Sequence, residues 1–256
     1  MQPLRYNNQK SKISRQVSSF LSELPEINIL MSINTISLNL IAIFLLISAF
    51  LVFFSWRKGR SIFLRDFSIF LFGIAGSSTC WAIASWLIPV NPKIAGYLHP
   101  LAGLIGGIGF LYFCHLVLTL TFPKEVKNIL IPLIFLFIVT NPILWFNPPV
   151  PYLSEEGIVI WNISFLPGFA LAAIGALFTG LPLILFFWLG IKSNDKFAKI
   201  RSFLIVAGIA FYMGGGLAHN LVTSAKQYLV SDVLTLLGVI ILLGAIYLKK
   251  FLKEKI

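Results

Sequence analysis

Six side chains in this sequence have the types and positions to do chemistry: His99, Asn141, Trp161, His219, Asn220 and Asp232. Imidazoles, carboxamides, a carboxylate and an indole together supply donors, acceptors and a stacking surface. Each falls towards the end of a long apolar run, and the loop charges described below put all six at one face. Mostly apolar clefts between helices with a few convergent polar groups are where small ligands bind. The six are therefore expected to line a pocket for a small or lipidic ligand near that face. Two histidines and a carboxylate are also a donor set for a divalent ion. Their sequence separations form no ligand motif, however, so neither a metal nor a cofactor is expected. The competing reading is plain helix-interface pairing, because a polar group in apolar surroundings is costly unless it is partnered.

A second polar set lies at mid-depth: Ser77, Ser78, Thr79, Cys80, Tyr112, His115 and Tyr212. These read as interhelical hydrogen bonds and as hydroxyls bonded back to their own helix, worth about 0.6 kcal/mol each. His115 reads as a satisfied core histidine. No Asp, Glu, Lys or Arg falls in the middle of an apolar run. Intramembrane charge marks proton relays and ion pathways, so ion-coupled transport and a retinal Schiff base are both disfavoured. Cys80 and Cys114 differ in depth by about 14 Å at 1.5 Å per helical residue, too far for a disulfide. Both read as small buried side chains.

The elements that must position these groups are unusually plain. Uncharged runs cover residues 27–56, 67–92, 94–123, 128–154, 157–191, 202–225 and 233–248. A helix needs about 20 apolar residues to cross the hydrocarbon, and the last run reaches that length with the residues just before it. A membrane barrel would alternate apolar and polar residues, and these runs do not. The expected fold is all-α, with transmembrane helices over 33–56, 64–88, 96–121, 128–147, 165–191, 201–222 and 229–249. The longest connection, 146–164, holds Asn147-Pro-Pro-Val-Pro151, and its Ile158-Val-Ile-Trp161 stretch is expected to form a small strand or a lid.

The net charge of +11 reads as topology and lipid headgroup contact rather than nucleic-acid binding. Of the 20 Lys and Arg residues, 14 fall in the connections after runs one, three and five or beyond run seven. Lys93 and Lys226 are the basic residues of the alternate connections. Basic loops stay cytoplasmic, which puts the C-terminus inside, the N-terminus outside and the six candidate residues near the outer face. Trp86, Trp145, Tyr152, Trp161 and Tyr228 then mark the outer interface, and Trp56 and Trp188 the inner one. A multi-pass plasma-membrane protein of a prokaryote is the expected setting. Residues 1–32 carry Arg5, Lys10, Lys12 and Arg15 against this pattern. They are read as lying upstream of a start at Met31, or else as a surface tail with an amphipathic helix through Val17, Phe20, Leu21 and Leu24. Residues 33–250 form the membrane domain and 251–256 a cytoplasmic tail.

Small residues supply the packing signals. Gly103 and Gly107 make a G-x-x-x-G in the third helix, with Gly106 and Gly109 beside them. Ala172, Ala176 and Gly180 repeat the small-residue spacing in the fifth. Small residues let helix backbones approach closely. Gly214-Gly-Gly216 weakens the sixth helix below His219, where a kink or hinge is expected.

From the third helix onward the sequence resembles the seven-helix N-terminal sensor region of membrane histidine kinases. The likeness rests on Phe113-Cys-His-Leu-Val-Leu-Thr-Leu-Thr-Phe-Pro123, Thr140-Asn-Pro-Ile-Leu-Trp-Phe146, the Glu155-Glu156-Gly157 loop and Ala198-Lys-Ile-Arg-Ser-Phe-Leu-Ile-Val-Ala-Gly208. The region around Asn220 and Asp232 and the cationic exit of the seventh helix complete it. Such sensors feed a kinase, whereas this sequence stops at Ile256. The resemblance thus implies a non-enzymatic sensor or receptor-like module that signals through a cytoplasmic or membrane effector protein. The alternatives are a small-solute permease and a structural subunit of a membrane complex. The lipid bilayer is an expected partner and nucleic acid is not.

Overall fold

Helix α1 (Ile33–Gly59), α2 (Ile62–Leu87), α3 (Pro92–Thr121), α4 (Val126–Phe146), α5 (Phe165–Lys192), α6 (Lys196–Ala218) and α7 (Ala225–Lys253) account for most of the chain. The structure is a computed structural model and describes residues 33–219 and 224–253. Among the described residues, all seven helices are long and apolar enough to cross a bilayer. In hydrocarbon every backbone N–H and C=O must be satisfied within the protein, and a helix does this within its own segment. The protein is a multi-pass membrane protein with an all-α seven-helix bundle. The tail 1–32, with its proposed start at Met31, lies outside the described residues.

Helix ends depart from the sequence reading mainly at α3, α6 and α7, each of which starts about a turn earlier. The cause is local. Asn91 caps α3 by accepting from the Ile94 N–H at 3.1 Å, with Pro92 at the first helical position. Asp195 caps α6 by accepting from the Phe197 N–H at 2.9 Å. Lys93, Lys196, Lys199 and Lys226 thus sit on helical turns, where long aliphatic stems let a charge reach the headgroups.

Packing runs from α1 to α2 to α3 to α5 to α6 to α7, and α7 returns to α1. Helix α4 packs against α3 and α5. It is the most lipid-facing span, only 17% buried where α2 is 67% buried. The core is apolar and rich in rings. Phe113 stacks on Phe70 with centroids 4.5 Å apart and on Phe186 at 5.6 Å, tying α2, α3 and α5 together.

Two helix pairs touch backbone to backbone. Between α2 and α3, a Cβ added at Gly73 would stand 2.6 Å from the Gly109 Cα. Between α6 and α7, a Cβ on Gly238 would stand 2.6 Å from the Gly208 carbonyl oxygen, and one on Gly215 the same distance from that of Ser231. The expected G-x-x-x-G turns to α4, Gly103 beside Leu144 and Gly107 beside Phe137, while the glycines next to it turn to α2. Gly106 and Gly109 meet α2, whereas Gly107 makes room for the Phe137 ring of α4. Ala172 and Ala176 of the α5 stripe are exposed and Gly180 has open space beside it, so that stripe does not pack within the bundle. Helix α6 runs without interruption through Gly214-Gly-Gly216.

The long connection forms a hairpin rather than a loose lid. Strand β1 (Tyr152–Leu153) pairs antiparallel with β2 (Val159–Ile160), Tyr152 opposite Ile160 and Leu153 opposite Val159. Gly157 turns it at φ 72, a conformation that favours glycine. Val159 packs on Ala84, Ile88 and Ala95, so the hairpin is seated on the α2–α3 end.

Candidate functional site

The α6–α7 contact sets the geometry of the most unusual group. With Gly215 flush against α7, the Ser231 hydroxyl donates to the Gly215 carbonyl. The neighbouring Asp232 then faces His219, the residue that caps α6. His219 Nε2 stands 3.0 Å from Asp232 Oδ1, with side chains 16% and 5% exposed. The approach lacks hydrogen-bond alignment: among the described residues, neither Asp232 oxygen and not His219 Nδ1 has a hydrogen-bond partner. The Tyr228 ring meets the imidazole edge to face at 4.2 Å. A carboxylate accepts at about four lone-pair positions, and among the described residues none of them is filled by a hydrogen bond. Leaving such a group unbonded costs several kcal/mol. Arranged in this way, Asp232 and His219 can hold a hydrogen-bond donor or a cationic group between two helices.

The other sequence-chosen residues fall elsewhere. His99, buried on α3, lies 4.9 Å from the Trp161 ring and 6.3 Å from that of Trp81, whose buried Nε1 has no acceptor among the described residues. Asn141, buried on α4, accepts from Trp145 Nε1 one turn on at 2.9 Å. Asn220 lies outside the described residues. The single pocket expected from the sequence is therefore three groups: one under the hairpin, one along α4 and one between α6 and α7. Equal depth in the membrane brought these residues together on paper, but their partners lie on different helices.

The mid-depth set divides as well. Thr79 bonds back to the Ala75 carbonyl at 2.8 Å, as hydroxyls in apolar helices do. The Tyr212 hydroxyl meets Ser78 across the bundle. Tyr112 is exposed, facing outward. His115 has a stronger partner than any hydroxyl: its Nδ1 lies 2.6 Å from Asp66 Oδ2, and Arg65 Nε donates to Asp66 Oδ1 at 2.7 Å. Asp66 is wholly buried, one turn into α2. Sequence reading passed over it, because it falls one residue before the uncharged run that begins at Phe67. Its signal was an acid directly before an uncharged run, with a histidine at similar depth on the next helix.

A cavity of about 380 Å³ opens at the opposite, basic end. Phe63, Leu120, Phe186 and Ile246 supply apolar wall, and Arg201 and Ser202 supply polar groups. None of the six residues chosen from the sequence lines it. Arg201 was read there as a topological charge, but with α6 starting at Lys196 it lies inside the helix.

No protein-family model matches the chain, and no curated protein matches it in sequence.

Proposed function

We propose that this protein is a non-enzymatic, receptor-like membrane sensor, whose input is a small ligand held by Asp232 and His219 between α6 and α7. The orientation favoured by the loop charges puts that pair at the outer face of a plasma membrane. The observation that carries the reading is a buried carboxylate without a hydrogen bond, in the interface between two closely packed helices. Ordinary interfaces satisfy such groups. A ligand that bonds to Asp232 stabilises one arrangement of α6 against α7 over another, as a population shift requires. The cationic exit of α7 would carry that change to an effector protein, in keeping with the likeness to kinase sensor regions.

The test is thermal unfolding of the full chain in neutral detergent against a panel of small amines, amidines and polyols. At least one should raise the wild-type transition, by the equivalent of about 2.7 kcal/mol at 100 times its Kd. The same compound should leave Asp232→Asn unchanged. Equal stabilisation of both proteins would remove Asp232 from the site. Uptake of the compound into proteoliposomes would replace the sensor with a permease.

A further inference from the structure

The basic-end cavity holds a second, independent clue. Arg201 lies on its wall with Nε buried and, among the described residues, without a hydrogen-bond partner. Its guanidinium carbon stands 4.0 Å from the Phe63 ring centroid. A cation–π contact uses the flat face of the guanidinium, whereas its five N–H donors lie in the plane. The Nε–H is one of those donors, and the ring contact does not satisfy it. Asp195, also on the wall, caps α6 through its Oδ1 and makes no ion pair with Arg201. Among the described residues no carboxylate forms an ion pair with Arg201. An arginine left so is shaped for bidentate binding of a carboxylate or phosphate.

The rest of the wall says which anion. Phe63, Leu120, Phe186, Leu189, Ile205 and Ile246 would surround a bound molecule with hydrocarbon. A free inorganic anion gains nothing from such a wall, whereas an alkyl chain gains about 0.8 kcal/mol per buried CH₂. The volume stands near the lower end of the roughly 300–1,000 Å³ of ligand pockets. It suits an anionic head and the beginning of one chain, not a whole diacyl lipid. We infer that this cavity binds the head of an anionic amphiphile, a phosphate-headed lipid or a fatty carboxylate, with Arg201 as its anchor. This site is distinct from the Asp232–His219 pair and does not depend on the sensor reading.

Native mass spectrometry of the full chain in a neutral detergent tests it. The probes are lysophosphatidic acid, palmitate, zwitterionic lysophosphatidylcholine and inorganic phosphate. One lysophosphatidic acid or palmitate per chain should bind, at least tenfold more tightly than lysophosphatidylcholine, and inorganic phosphate should neither bind comparably nor compete. Arg201→Ala should weaken binding at least tenfold and Arg201→Lys less. Ala198→Trp, which fills the mouth and keeps the charge, should also weaken it. Lys199→Ala, exposed at the same end but off the wall, should change it less than twofold. If Arg201→Ala does not fold, Ala198→Trp and Arg201→Lys carry the comparison. Equal loss in Lys199→Ala and in the Arg201 variant would reduce the effect to general surface charge. Equal binding of lysophosphatidylcholine, or inorganic phosphate binding as tightly as the amphiphiles, would overturn the proposal.

Discussion

Asp66 has the best-satisfied carboxylate in the described bundle, and Asp232 is its opposite. Arg65 donates to one Asp66 oxygen and His115 meets the other, so α2 and α3 are joined at the basic end by short, charge-assisted contacts. Arg65 and His115 keep 40% and 30% of their side chains exposed. That exposure places the cluster between a surface pair, worth about 0–1 kcal/mol, and a fully buried one. Asp66→Asn should therefore destabilise the protein by about 1.5–3 kcal/mol, read by unfolding in detergent. His115→Gln made in the Asp66→Asn background should add much less than it costs alone. Full additivity of the two substitutions would mean that the Asp66–His115 contact contributes little. Among the described residues Asp232 has no such bonding, only a misaligned imidazole 3.0 Å away. One carboxylate holds the fold together; the other remains available.

Among the elements, α6 and α7 have the closest approach and also carry the proposed input. Gly215 lies in that seam, while Gly214 and Gly216 on either side have open space where a Cβ would stand. Gly215→Ala should lose about 1–3 kcal/mol by overpacking. Gly214→Ala and Gly216→Ala should each gain about 0.5–1 kcal/mol by removing a helix-interior glycine. Unfolding of the three single variants measures this, and a destabilising Gly214→Ala would contradict the open geometry. The existence and approximate ends of these helices were legible in the sequence, because hydrocarbon thickness imposes a length on any span. Their facing was not. Lipid is as apolar as the bundle interior, so no polar stripe marks the outward side of α3 or α5. For that reason Gly107, turned to Phe137, could not be told from Gly106, turned to α2. His99 likewise could not be told from a neighbour of Asp232: depth along the membrane normal is written in the sequence, and direction around the helix axis is not.

For the whole molecule, the charge distribution makes the strongest claim beyond the fold itself. The α1–α2, α3–α4 and α5–α6 connections share one end with the exit of α7, and these connections, the helix turns that flank them and the α7 exit hold 14 of the 20 basic residues, most of them exposed where described. The hairpin end holds Lys93 and Lys226 beside Glu155, Glu156 and Asp232. Moving a basic loop across a membrane is disfavoured, and short loops such as these follow that bias most closely. The basic end, with its Arg201 cavity, is thus expected in the cytoplasm, where anionic lipid is concentrated. The hairpin and the His219–Asp232 pair are then expected at the outer face. Cys80 and Cys114 are both buried, so single added cysteines can be read against a low background. A membrane-impermeant thiol reagent applied to intact cells should modify Glu155→Cys on the hairpin and leave Lys124→Cys untouched until the membrane is permeabilised. The reverse pattern would invert the bundle, moving the proposed input to the cytoplasm and the Arg201 cavity to the outside, away from the lipid it is expected to bind.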